Sequence, residues 1–106
     1  MVDRVVRDGM VAVLYSPGFG AGWSTWAGSE FREHYLFDPE VVAWVENGKV
    51  DSLPDLEVKY GDRYFYDGGA DDLEIRWVPI GTRFRIHEYD GSESVVLDNE
   101  DEWVIA

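Results

Sequence analysis

The sequence predicts an α+β fold in which a mostly antiparallel sheet of four to six strands has two or three helices inserted after its first central strand. Three observations predict this class. The run from Met10 to Tyr15 is apolar on both faces, as in a central strand. Helix-capping residues follow it, and from Leu73 onward apolar and polar residues alternate with a period of two. The 106 residues suit one modest core, so we expect residues 1–106 to form a single domain.

The first elements are a hairpin and a short helix. Val2 to Val6 and Val11 to Tyr15 flank Asp8-Gly9, a pair that favours a tight primed turn between antiparallel strands. Ser29 is placed to cap a short helix that runs through Tyr35 or Leu36.

Two further helices are expected in the middle of the chain. Asp38 caps the first of them, Pro39 fits its first helical position, and Gly48 ends it. The stretch 52–55 starts a third, shorter helix that reaches Tyr60, although the same residues also fit an extended segment.

The alternating part of the chain predicts a hairpin from Leu73 to Tyr89 that turns at residues 79–82. If Val78 pairs with Arg83, the apolar residues form one face and Arg76 lies directly opposite Arg85. Such like-charge crowding needs an anion, which is either a carboxylate of the chain or a ligand phosphate.

Shorter elements complete the expected sheet. Asp90-Gly91 is a second tight turn, Ser94 to Leu97 is a strand, and Trp103 to Ile105 forms a short final strand. Residues 61–72 form a loop with three consecutive aromatic residues, which either folds back on the domain or covers the first loop as a lid.

The stretch from Ser16 to Trp26 carries the clearest signal for a site. Its glycines allow positive φ angles and close approach of the backbone, and it joins a predicted strand to a predicted helix. We expect its backbone N–H groups to receive an anion, while Trp23 or Trp26 stacks on a flat ligand. The alternative is a structural loop whose tryptophans fill the core.

Stricter catalytic and metal motifs are missing from the sequence. The loop lacks the Gly-Lys-Ser/Thr ending of a P-loop and the glycine spacing of a dinucleotide fingerprint. Ser24 resembles the nucleophile of a hydrolase elbow, but Trp26 replaces the second glycine. A base for Ser24 would have to be His34 or His87, and two isolated histidines without any cysteine argue against zinc. We therefore expect no catalytic residue, no metal and no cofactor.

The formal net charge of −13 bears on partners and location. Such a chain repels phosphate backbones, so direct DNA or RNA binding is not expected. The acidic surface serves solubility, mimics nucleic acid towards a basic protein groove, or surrounds a small positive pocket. No apolar run is long enough for a membrane span, and the absence of cysteine and of a signal peptide suits the cytoplasm, which would be the host's if the protein comes from a phage.

Two stretches resemble small proteins of phages and their bacterial hosts. They are the stretch from Ser16 to Trp26, which contains Gly20-Ala21-Gly22-Trp23-Ser24-Thr25-Trp26, and the segment from Trp77 to Ser94, which contains Glu88-Tyr89-Asp90-Gly91. This group looks like the phage anti-CBASS sponges, which sequester cyclic-nucleotide immune signals without cleaving them. The resemblance implies an oligomer with ligand sites shared between protomers.

The sequence thus favours a non-catalytic binding protein that sequesters a small anionic nucleotide such as a cyclic dinucleotide. Glycines give backbone access, aromatic residues stack, Ser24, Thr25, Arg83 and Arg85 hold phosphate, and Glu88 or Asp90 reads a base, unless the last two belong to a simple polar turn. Residues 16–26 and 83–90 supply the candidate set: Gly18, Gly20, Ala21, Gly22, Trp23, Ser24, Thr25, Trp26, Arg83, Arg85, Glu88, Tyr89 and Asp90. The alternatives are an acidic, anti-CRISPR-like inhibitor with a buried, structural glycine loop, and a small hydrolase. We also expect self-association, most simply as a two-fold dimer.

Overall fold

Two three-stranded antiparallel sheets and three α-helices build the part of the chain that the computed structural model describes, which is residues 3–19, 22–27, 29–61, 68–97 and 104–105. The first sheet has the order β1-β2-β3, and the second has the order β5-β4-β6. The strands are β1 (Val6–Arg7), β2 (Met10–Tyr15), β3 (Glu74–Pro79), β4 (Arg83–Tyr89), β5 (Ser92–Leu97) and β6 (Val104–Ile105). The predicted α+β class is confirmed, and the helices follow β2 as expected.

Both predicted tight turns are present. Asp8 and Gly9 have φ angles of 51° and 76°, and Asp90 and Gly91 have φ angles of 54° and 85°. Each pair is the two-residue loop of a hairpin, since Arg7 pairs with Met10 and Tyr89 pairs with Ser92. Positive φ at both central residues is the signature of a type I′ turn, which matches the twist of the strands it joins.

The three helices are α1 (Arg32–Phe37), α2 (Pro39–Glu46) and α3 (Leu56–Tyr60), and a side-chain cap starts the last two. A 3₁₀ turn over Ser29–Phe31 precedes α1, and the N-cap of α1 is Phe31, not the predicted Ser29. The side chain of Asp38 accepts the N–H of Val41 at the start of α2, and Asp55 caps α3 in the same way. The expected α2 and α3 are confirmed, and Gly61 ends α3 in the left-handed conformation that glycine favours.

The predicted hairpin from Leu73 to Tyr89 is wrong. β3 pairs with β2 in the first sheet, whereas β4 pairs with β5 and β6 in the second. Arg76 therefore lies opposite Val13, and Arg85 lies opposite Val96. The like-charge pair across a turn does not exist, because the turn after Pro79 leads the chain into a different sheet. The single predicted sheet is likewise two sheets.

β2 lies at the centre of the core and is buried on both faces, as predicted. Ala12 and Leu14 pack among residues of the helices, including Tyr35, Val41 and Leu56. Val11 and Val13 face a second cluster, whose members are Leu36, Phe37, Val78 and Phe84. The strand thus separates two apolar layers, and the glycine-rich loop leaves directly from its last residue.

Candidate functional site

A buried carboxylate occupies the glycine-rich loop. Glu93 on β5 is only 2% exposed, and it shares the inward face of that strand with Val95 and Leu97. Its Oε1 accepts the N–H of Ser16 at 3.0 Å. Its Oε2 accepts the N–H groups of Trp23 at 2.8 Å and Thr25 at 3.1 Å, and the Thr25 hydroxyl at 2.5 Å. One carboxylate therefore receives four donors from the loop.

This arrangement is an anion-binding nest that the chain fills by itself. Backbone N–H groups in a turn converge on negative charge, and hydrogen bonds to a charged acceptor are about twice as strong as neutral ones. We expected the loop to receive a ligand anion; the N–H groups of Ser16, Trp23 and Thr25 instead donate to a carboxylate of the chain itself. The N–H of Glu93 also donates to the carbonyl of Ser16 at 2.7 Å, so this contact joins the two sheets.

Glycines in and beside the loop serve close packing. A Cβ on Gly22 would lie 2.5 Å from the indole of Trp26, and one on Gly18 would lie 2.1 Å from the carboxylate of Asp72. A Cβ on Gly69 would lie 2.3 Å from the carbonyl oxygen of Gly22. We predicted that the loop glycines allow positive φ angles and close approach of the backbone. Gly18 and Gly22 serve the second role, since neither has a positive φ. Gly20 and Ala21 lie outside the described residues.

The two loop tryptophans have different environments. Trp23 is fully buried, its indole N–H donates to the carbonyl of Tyr35 at 2.7 Å, and its ring meets that of Tyr35 edge-on. Trp26 is 46% exposed. Trp23 therefore belongs to the core, and Trp26 is the loop tryptophan that a ligand or partner could contact. Ser24 is buried as well, while Thr25 uses its hydroxyl on Glu93.

The remaining predicted site residues lie on or beside β4. Strand alternation places Arg83, Arg85 and Tyr89 on the outward face, together with His87, while Phe84 and Ile86 face the core. Glu88 belongs to the opposite set, directly across from Glu93, and its carboxylate accepts the N–H of Gly91 at 2.7 Å. Arg83, Arg85 and Tyr89 thus share one face of β4, whereas the Glu88 carboxylate binds within the turn that follows the strand.

A second polar cluster, which the sequence did not single out, joins α1, α2 and α3. Asp38 is fully buried, and its Oδ1 accepts Lys59 Nζ at 2.7 Å and the Tyr60 hydroxyl at 2.5 Å. Lys59 also lies 2.7 Å from a carboxylate oxygen of Glu40, and His34 stacks on Tyr60 with ring centroids 3.7 Å apart. The N-cap of α2 is therefore also the anchor of α3.

The electrostatics of this cluster oppose a catalytic role. Burial raises the pKa of the Tyr60 phenol, and the hydrogen bond to Asp38 raises it further. Burial alone would lower the pKa of the Lys59 ammonium, but hydrogen bonds to Asp38 and Glu40 outweigh it, so that this pKa also lies above its ordinary value. General acids and bases work best with pKa values near the operating pH, and both groups move away from neutrality.

Neither serine hydrolysis nor metal binding has support in the part of the chain that the structure describes. Ser24 Oγ is buried without a hydrogen-bond partner, and His34 is stacked on Tyr60, so no Ser–His pair forms there. No three His, Asp or Glu side chains in these ranges come together as a metal site. None of the described helices is long and apolar enough to cross a bilayer.

No protein-family model, curated protein or solved structure matches this chain. Its function is therefore inferred from its own residues.

Glu93 is the functional-site residue that was not predicted from the sequence, although the alternation of β5 contained a signal for it. Glu93 is separated from Val95 and Leu97 by two and four positions, so the three side chains share one face of the strand, while Ser92 and Ser94 lie on the other. The carboxylate is thus on the face that carries Val95 and Leu97.

Proposed function

We propose that the protein is a non-catalytic, acidic binding protein whose negatively charged surface docks on a basic surface of a protein partner. The observation that supports this best is Glu93 in the glycine-rich loop. A loop that held a ligand anion would offer its N–H groups to that ligand. Here an internal carboxylate takes three of these N–H groups, so the loop serves as structural support, as expected for an interaction protein.

The distribution of charge agrees with this proposal. Among the acidic residues that the structure describes, only Asp38 and Glu93 are buried, and the others lie at the surface. Several cations are engaged within the chain: Arg7 binds Glu46, Lys49 donates to the carbonyl of Asp71, and Lys59 binds Asp38. These contacts offset positive charge locally and leave a negative field around the molecule, which steers a basic partner towards it.

Basic protein grooves that receive nucleic acid are the partner class that this surface fits. Such grooves present Lys and Arg to a row of phosphates, and a row of surface carboxylates satisfies the same residues. The partner would then be a nucleic-acid-binding protein, and duplex DNA would compete for the same groove.

A competition experiment tests the proposal. The immobilised protein is incubated with a bacterial lysate at 50 mM and 200 mM salt, and bound proteins are then eluted with excess duplex DNA. We expect DNA to release a discrete partner and retention to fall at the higher salt, because the contact is electrostatic. Retention that DNA does not disturb, or no retained protein at low salt, would overturn the proposal.

A second candidate function is sequestration of a small anionic nucleotide, which the outward face of β4 favours. Arg83, Arg85 and Tyr89 share that face, and the residues across from His87 and Tyr89 on β5 are Ser94 and Ser92, not carboxylates. Arginine suits phosphate and tyrosine suits a base, and Arg85 lies about 13 Å from Tyr89 along the strand. In this proposal Trp26 is a further stacking residue.

Calorimetry separates the second candidate from the first. Cyclic dinucleotides should bind, and Arg85→Ala should weaken binding about ten- to a hundredfold without lowering the melting temperature. Ligand recovered unchanged would support sequestration and argue against a hydrolase. A lower melting temperature with intact binding would instead assign Arg85 to structural pairing.

A further inference from the structure

An open groove lies between the last turn of α2 and the segment that follows it. Its volume is about 240 Å³, and its lining includes Trp44, Asn47, Asp51 and Glu40. Sites that enclose a whole drug-sized ligand measure roughly 300–1,000 Å³, so this groove suits a single long side chain. None of its lining residues belongs to the glycine-rich loop, β4 or β5.

The wall of the groove is held in place before anything binds. The Trp44 indole N–H donates to the carbonyl of Asp51 at 2.7 Å, which fixes the ring against the segment that forms the other side. Val50 at the rim is 78% exposed. A rigid aromatic wall beside an exposed apolar rim loses little conformational entropy on binding, which is the usual property of an anchor pocket.

The polar groups of the groove select a cation. Glu40 and Asp51 both line it and both are exposed, although Glu40 also contacts Lys59. The Lys49 ammonium lies 5.7 Å from the centre of the Trp44 ring, so the chain already places one cation against this indole. Carboxylates beside an aromatic face suit a guanidinium, which is planar, stacks on rings and donates to carboxylates in a fixed fork.

We propose that this groove is the anchor pocket for an arginine side chain of a basic protein partner. The assignment rests on the proposed function for the nature of the partner, while the groove itself stands on its own lining. Arginine is favoured over a small organic cation, because its aliphatic stem would cover Val50 while its head reaches the carboxylates.

The test uses the intact protein, labelled with ¹⁵N, and two blocked tripeptides, acetyl-Gly-Arg-Gly-amide and the same peptide with neutral citrulline in place of arginine. We expect the arginine peptide to shift the Trp44 indole and Asp51 amide signals, and the citrulline peptide to leave them in place. Glu40→Gln and Asp51→Asn should each weaken binding about two- to fivefold, in line with exposed ion pairs.

Two variants control for unspecific charge effects and for loss of fold. Glu57→Gln removes one exposed carboxylate from α3, outside the groove, and should leave the peptide affinity unchanged. Asn47→Arg places a guanidinium of the chain itself in the groove, at a helix end that tolerates positive charge, and should abolish the shifts in a folded protein. Equal shifts with citrulline, or shifts that persist in Asn47→Arg, would overturn the assignment.

Failure of the groove assignment can be distinguished from failure of the proposed function. If a DNA-releasable partner is still retained by Asn47→Arg at wild-type strength, the interaction function stands and the groove assignment falls. If the arginine peptide binds as expected but no partner is released by DNA, the groove stands and the proposed function falls.

Discussion

Glu93 is the residue on which the glycine-rich loop depends, and its amide counterpart tests this. In Glu93→Gln the side-chain NH₂ would face an N–H donor, so at least one buried donor loses its acceptor. Hydrogen bonds to charged groups are worth about 1.5–3 kcal/mol each, and we expect a loss of about 3 kcal/mol in the free energy of unfolding. Urea denaturation measures it.

Glu88→Gln is the matched control for that experiment. Glu88 lies directly across from Glu93, but it is exposed, and its carboxylate accepts the N–H of Gly91. The free energy of unfolding of Glu88→Gln should fall by less than about 1 kcal/mol, the range of surface charge contacts. Equal losses in the two variants would contradict the role assigned to Glu93.

The loop tryptophans provide a second prediction at this scale. Trp23→Ala empties a fully buried site and should cost about 3–5 kcal/mol, while Trp26→Ala should change stability by less than about 1 kcal/mol. Trp23→Phe retains most of the ring and removes the hydrogen bond to Tyr35, so its loss should be intermediate. Thermal melting ranks the three variants, and a Trp26→Ala loss as large as that of Trp23→Ala would refute the assignment.

At the scale of elements, the contact between the glycine-rich loop and the segment before β3 depends on Gly69. A Cβ there would collide with the backbone carbonyl of Gly22, which cannot move without moving the loop. Gly69→Ala should therefore cost about 1–3 kcal/mol. Gly18→Ala should cost less, because its obstacle is the side chain of Asp72, which can rotate away. Chemical denaturation compares the two, and the reverse order would contradict this packing.

The contact between α2 and α3 predicts a loss of stability in alkali. Tyr60 and Lys59 both have pKa values raised above their ordinary 10.0 and 10.5. A group whose pKa is higher in the folded state stabilises fully below its unfolded pKa, and this stabilisation disappears as the pH rises through the folded value. The free energy of unfolding should therefore fall above about pH 10, and less steeply in Tyr60→Phe. Denaturation from pH 8 to 11 measures the free energy of unfolding, and a value that does not change with pH would contradict this prediction.

Two of the three helix starts could be predicted from the sequence because their signals are local. As N-caps, Asp38 and Asp55 accept N–H groups within three residues of themselves, and Pro39 fits the first helical position, so the starts of α2 and α3 could be predicted. Strand pairing is not local. The alternation of β3 and β4 fits any antiparallel neighbour, and nothing in residues 73–89 showed that β2 would take β3 as its partner. The predicted pairing of Arg76 with Arg85 failed for that reason.

At the scale of the whole molecule, self-association remains a prediction. Phe19, Trp26 and Tyr89 are all large and exposed, at 74%, 46% and 71%, and such aromatic residues are typical of interfaces. The net charge of −13 opposes contact between copies, so we expect the dimer fraction to increase with salt as this repulsion is screened. Light scattering from 50 mM to 500 mM salt tests this, and a monomer throughout at high micromolar concentration would refute it.

The Glu93 contact also has a consequence for the order of folding. Ser16 and Glu93 are 77 positions apart, and loop closure of that length must precede the hydrogen bond between them. Contacts of large sequence separation form slowly and late. During synthesis the glycine-rich loop therefore leaves the ribosome long before its carboxylate exists, and its N–H groups remain with water until β5 is made. A nascent chain that stops before residue 93 should fold its helices, yet leave this loop open to proteases.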